Sequence, residues 1–175
     1  LEHGTLLLDD LTKDALTNDN ATFTYTPDSD WVGTETFVYQ YTAGPPAGTS
    51  SNIAEITIAV KGVNDAPVVS LDQSTVSVDE ENDLFFNAGN GNRIHLADID
   101  AGSSAVELLL EVNSGTLALA STTGITFLEG ANNAGRMKIR GSLSDLQVVV
   151  DGLSYTGVTD FYGTDNLSVI LNDAG

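Results

Sequence analysis

Apolar and polar residues along this chain alternate in short blocks. The segments ATFTYTP, ETFVYQYT, NIAEITIAVKG, VELLLEVNSG, GTLALAS, GITFLEG, RMKIRG and NLSVILND are each bounded by Gly, Asn, Asp or Pro. Several approach a period of two, as Ile56, Ile58 and Val60 do. Runs of about 5–9 residues with that period, punctuated by turn formers, predict half-buried strands in antiparallel β-sandwiches. One stretch departs from the pattern. In SLSDLQVVVDGL, Leu143, Leu146, Val149/Val150 and Leu153 recur every three to four residues behind Ser142, which can cap a helix with Asp145 answering it. This predicts one short helix, although LQVVV is β-branched enough to serve as a strand.

The pattern also repeats itself. YTPDSDWVGTE at Tyr25–Glu35 is rewritten as YTGVTDFYGTD at Tyr155–Asp165, an offset of 130, and Gly4-Thr5-Leu6 recurs as Gly115-Thr116-Leu117, an offset of 111. The difference of 19 residues is an insertion in the second copy that contains the expected helix. Self-similarity of this kind reads as one module written twice. Between the copies lies VNDAP, where Asn-Asp and Ala-Pro halt one strand and force an extended exit toward the next. The expected division is a truncated first repeat at residues 1–62, a linker at 63–67 and a second repeat at 68–175 that lacks its last strand. The opening LEHGTLLL, without Met, reads as the middle of a longer protein.

In the repeated motif, Tyr25 and Tyr155 close a strand, and Asp30 and Asp160 are placed to bond backbone N–H groups of the following loop. Trp31 and Phe161 are expected to drop into the core, and Gly33 and Gly163 to take positive φ. These are the parts of a structural corner.

Composition narrows the chemistry. The 175 residues are 41% apolar, enough for a core, and contain no cysteine, so disulfides, zinc thiolates and thiol nucleophiles are excluded. Twenty-five acids against six Lys plus Arg give a formal charge of −19, which repels nucleic acid and anionic lipid. Carboxylates in such surplus suit hard cations, calcium above all, which takes six to eight oxygen ligands. No run of about 18 apolar residues predicts membrane insertion. Gly-x-Ser-x-Gly elbows, paired histidines and phosphate-cradling loops are absent, and His3 and His95 stand alone, so the chain is read as non-enzymatic.

Taken together, HGTLLL, FTYTPDSDWVGTETFVYQYT, ITIAVKGVNDAPV, DIDAGSSAVELLLEVNSGTLALASTTGITFLEG and GLSYTGVTDFYGTDNLSVILNDAG resemble the cadherin-like tandem repeats of giant bacterial surface and RTX-type adhesins. The resemblance implies an all-β chain of tandem immunoglobulin-like or cadherin-like sandwiches, secreted or displayed at the cell surface, rigidified by calcium at repeat junctions and serving adhesion. Neighbouring repeats of the same chain are the implied partners, with surface glycans or proteins as targets. By the same resemblance Asn64 and Asp65 match the ligating linker, and Asp98-Ile99-Asp100 matches the Asp-x-Asp element. Asp79, Glu80, Glu81 and Asp173 are weaker metal candidates. Asp173 precedes the Gly of LNDAG as these repeats usually have it, whereas the first copy carries Ala43 there.

The Asp-x-Asp spacing has its own logic. On an extended segment alternate side chains share a face, so Asp98 and Asp100 would reach one ion, and without a cation they would repel. The alternative function is a carbohydrate-binding sandwich, with Trp31, Tyr39, Tyr41 and Tyr162 as a stacking platform.

Overall fold

The computed structural model describes residues 1–8, 22–40, 48 and 50–173. Tyr41 and Ala43, singled out above, lie outside them. The chain is all-β and antiparallel, with one α-helix, and divides into two compact units, Leu1–Val63 and Asn64–Gly175.

In the first unit β1 (Gly4–Leu8) pairs with β2 (Phe23–Pro27), and β3 (Gly33–Tyr39) with β4 (Ala54–Val60). Strands β1, β2 and β4 alternate half-buried with exposed positions, the sign of a one-sided apolar face. Phe23 links the two pairs through ring contacts with Phe37 at 5.9 Å and Tyr39 at 5.6 Å. Among the described residues of this unit only Glu35 is buried, at 8% exposure.

The second unit holds the core. A four-stranded sheet runs in the order β10 (Ile125–Gly130), β11 (Arg136–Ser142), β8 (Ala105–Glu111), β13 (Ser168–Asn172). A three-stranded sheet runs β6 (Asp83–Phe86), β12 (Leu153–Thr156), β9 (Thr116–Ala118), and β5 (Val68–Leu71) pairs with β7 (Ile94–Ala97). Strands β8 and β11 alternate strictly, so Val106, Leu108, Leu110, Met137 and Ile139 are buried on one face. Glu107, Glu111, Arg136 and Lys138 stand on the other, where Lys138 meets Glu107 at 2.7 Å.

The helix α1 spans Leu143–Val150. Ser142 caps it, accepting the Asp145 N–H at 3.1 Å and donating to the Asp145 carboxylate at 2.6 Å. Leu146, Val149 and Val150 are buried against β7, β8 and β11, so tertiary packing overrides the strand preference of LQVVV. Gln147 turns sideways to β7. It accepts the Leu96 N–H at 2.8 Å and donates to the Ile94 carbonyl at 2.9 Å, as a neighbouring strand would.

The repeated motif forms the same corner in both units, with different parts from those expected. Thr5 faces Thr26 and Leu6 faces Tyr25, as Thr116 faces Thr156 and Leu117 faces Tyr155. Gly4 and Gly115 are obligatory, because a Cβ would lie 2.5 Å from the Thr26 carbonyl oxygen in one case and 2.3 Å from that of Thr156 in the other. Positive φ falls on Asp30 (59°) and Asp160 (60°), a conformation Asp tolerates; Gly163 shares it and Gly33 does not. The carboxylate that binds backbone N–H groups across the corner is the final acid of the motif, Glu35 or Asp165, rather than Asp30 or Asp160. Neither Trp31 nor Phe161 enters the core. Both are half-buried, and Trp31 stacks on His3 with centroids 4.8 Å apart.

Candidate metal centre

Three segments of the second unit meet at one end of it. The first is its opening, Asn64-Asp65; the second is the turn Asp98–Ala101 after β7; the third is Asp173, directly after β13. Asp98, Asp100 and Asp173 each offer a carboxylate oxygen, and the three atoms lie within 4.8 Å of one another.

The local folding differs from the extended segment expected. Strand β7 stops at Ala97, and Asp98 Oδ1 accepts the N–H groups of Asp100 at 3.2 Å and Ala101 at 3.0 Å. A side chain bonding the backbone two and three residues on makes a turn, and this turn brings Asp100 back beside Asp98. Asp100 Oδ2 then accepts the Asp65 N–H at 2.8 Å, and Asn64 Nδ2 donates to Asp173 Oδ2 at 2.5 Å. Asp65 thus enters through its backbone.

One oxygen has no partner. Asp98 Oδ2 is buried and unbonded in a half-buried residue. Burial first, and then the neighbouring Asp100 carboxyl, push the Asp98 carboxyl above its ordinary value. Asp100 moves the other way, held down by the Asp65 N–H and then by Asp98. A buried acceptor without a donor is costly, and two adjacent carboxylates add repulsion. A hard cation removes both penalties at once. Asp98, Asp100 and Asp173 offer three carboxylate oxygens of the hard kind that calcium or a similar cation takes, with the Asn64 amide beside Asp173.

Asp79, Glu80 and Glu81 are not part of this cluster. They lie in an exposed turn in which Asn82 N–H bonds the Asp79 carbonyl at 3.2 Å and Glu81 has φ of 63°. His95 is engaged by Asp72, 2.8 Å away, and this hydrogen bond is the largest of the effects that hold the Asp72 carboxyl low. Of the aromatic residues considered as a platform, Trp31 is occupied by His3, while Tyr39 and Tyr162 are exposed, Tyr162 to 90%. Asp173 belongs beside Asp98 and Asp100 as a full member, a rank the sequence hints at by writing Asn-Asp-Ala both at Asn64 and at Asn172. Gln147 and the buried Asn92, whose amide bonds Asn87 N–H at 3.0 Å and the Phe85 carbonyl at 3.1 Å, carry no such hint. No helix among the described residues is long and apolar enough to cross a membrane. Comparison of the chain with protein-family models, with curated proteins and with solved structures returns no match.

Proposed function

We propose that this chain is a non-enzymatic pair of β-sandwich repeats from a secreted or cell-surface bacterial adhesin, in which calcium binds Asp98, Asp100, Asp173 and Asn64. The observation that carries the reading is the meeting of the Asp98, Asp100 and Asp173 carboxylates within 4.8 Å of one another, in a residue set where Asp98 Oδ2 is buried and unpartnered. The tandem nature of the repeats is supported by the corner built twice in the same register. A cation would neutralise the cluster and fasten Asn64-Asp65, where the second unit begins, to the body of that unit. Stiffening of that kind suits a module that projects an array and meets neighbouring repeats, surface glycans or proteins. The test is titration calorimetry with calcium and with magnesium. Calcium should bind with measurable heat and magnesium more weakly, because magnesium dehydrates reluctantly and demands tighter geometry. No heat with calcium, in protein previously stripped by chelator, removes the reading.

A further inference from the structure

The corner that occurs in both units is built as a lock on one residue. In the second unit Asp165 accepts the N–H groups of Asn113 at 3.0 Å, Ser114 at 2.8 Å and Asn166 at 2.8 Å. The Tyr155 hydroxyl donates to the Ser114 carbonyl at 2.6 Å and lies 3.1 Å from Asp165 Oδ2. Both backbone polar groups of Ser114, just before β9, are therefore satisfied by side chains from β12 and from the loop before β13. In the first unit Glu35 accepts the N–H groups of Glu2 at 3.3 Å and His3 at 3.2 Å, and Tyr25 donates to the His3 carbonyl at 2.6 Å. The same lock is made there with a longer acid and fewer donors.

We propose that the tyrosine–carboxylate corner of the second unit is a two-sided pH latch, closed only while the Asp165 carboxyl is ionised and the Tyr155 phenol protonated, which holds the entrance of β9. An ionised carboxylate can accept every N–H aimed at it, whereas a protonated one carries a hydrogen that competes for the same space. A phenolate can no longer donate to the Ser114 carbonyl, and it would face the Asp165 charge. The groups that act on Asp165 are the Ser114, Asn113 and Asn166 N–H groups and the Tyr155 hydroxyl.

The signs follow from the geometry. Burial pulls the Asp165 carboxyl upward, but the Ser114, Asn113 and Asn166 N–H groups with the Tyr155 hydroxyl outweigh it and leave the carboxyl below 3.8. Its stabilisation is complete above the unfolded value and is lost as pH falls through the folded one. Burial first and then Asp165 raise the Tyr155 phenol above 10.0. That contribution is present below 10.0 and is lost as pH rises through the folded value. The proposal is independent of the cation reading.

The test is amide NMR of the full chain across pH, with Asp165→Asn and Tyr155→Phe as variants. In the parent, the Asn113 and Ser114 amides should titrate together below 3.8 and lose about tenfold or more of their protection, relative to intrinsic exchange at the same pH, once the carboxyl is protonated. Asp165→Asn should abolish the acid step, and Tyr155→Phe should abolish the alkaline step while keeping the acid one. Should Asp165→Asn fail to fold, the parent titration and Tyr155→Phe still decide. The proposal is overturned if these two amides do not follow the Asp165 carboxyl. It is equally overturned if they open only together with Leu108 and Ile139 of the core, or if Tyr155→Phe leaves the alkaline behaviour unchanged.

Discussion

Replacing Asp98 with Asn separates the two roles of that side chain. The amide oxygen can still accept the Asp100 and Ala101 N–H groups, so the turn survives, while the buried charge and the proposed Oδ2 ligand disappear. A calcium ion about 2.4 Å from a carboxylate oxygen is attracted by about 3.5 kcal/mol even at the dielectric of bulk water, so a tenfold loss of affinity is a conservative expectation. At a calcium concentration about 100 times the parent dissociation constant, the parent gains about 2.7 kcal/mol and the variant about 1.4 kcal/mol. With about 4 °C per kcal/mol for a domain of this size, the calcium-induced rise in Tm falls from about 11 °C to about 6 °C. Without calcium the sign reverses. The folded-state carboxyl lies above its unfolded value, so its ionisation weakens the apo protein as pH rises through the ordinary carboxylate range, and Asn removes that penalty. Scanning calorimetry of both proteins in calcium and in chelator reads all four values. Equal losses for Asp98→Asn in both conditions would refute the reasoning, because they would make the residue a structural turn and nothing more.

Three further outcomes are expected. Gln147→Ala strands the Leu96 N–H and the Ile94 carbonyl, and should cost about 1–3 kcal/mol in urea unfolding without a change in the denaturant slope. Gly115→Ala, which drives a Cβ to 2.3 Å from the Thr156 carbonyl oxygen at φ of 129°, should destabilise by more than about 1 kcal/mol; a neutral result would mean that the corner can shift. Amide exchange should be faster in β1–β4 than in β8 and β11, since no described residue of Leu1–Val63 is fully buried, Glu35 coming nearest at 8% exposure, while Leu108, Leu110 and Ile139 are fully enclosed.

The strands with clear alternation were legible in the sequence. In β8 and β11 every second residue is apolar over seven positions, and the capped helix after Ser142 announces itself through Asp145. Strands β5, β6 and β7 are not visible in this way, because four residues such as DLFF or IHLA are too short to establish a period. For the candidate site, Asn64, Asp98 and Asp100 could be named from their spacing and resemblance, but their physical arrangement could not. The Asx-type turn at Asp98 and the meeting of Asn64 with Asp173 are long-range results of how β7 and β13 end. Within the corner, sequence drew attention to Asp30 and Asp160 because Asp is a turn former whose carboxylate can bond the backbone of the following loop. The acid that bonds across the corner comes five residues later, and only the fold brings it to Ser114 or His3.

The sideways amide of Gln147 bears on how the molecule behaves in a crowd. A strand edge with free N–H and C=O groups is a template on which a strand of another molecule can grow, and long arrays of β-modules at high local concentration are exposed to that hazard. On the side of β7 away from β5, the Ile94 and Leu96 groups that an incoming strand would seek are already taken by one side chain of a helix, and a helix cannot continue a sheet. Strand β10 is blunted by other means, through the register shift between Phe127 and Glu129 and the charge of Glu129. The helix α1 is therefore placed to obstruct intermolecular sheet growth at β7 as well as to fill the core, and loss of Gln147 is expected to show itself in aggregation on storage sooner than in loss of fold.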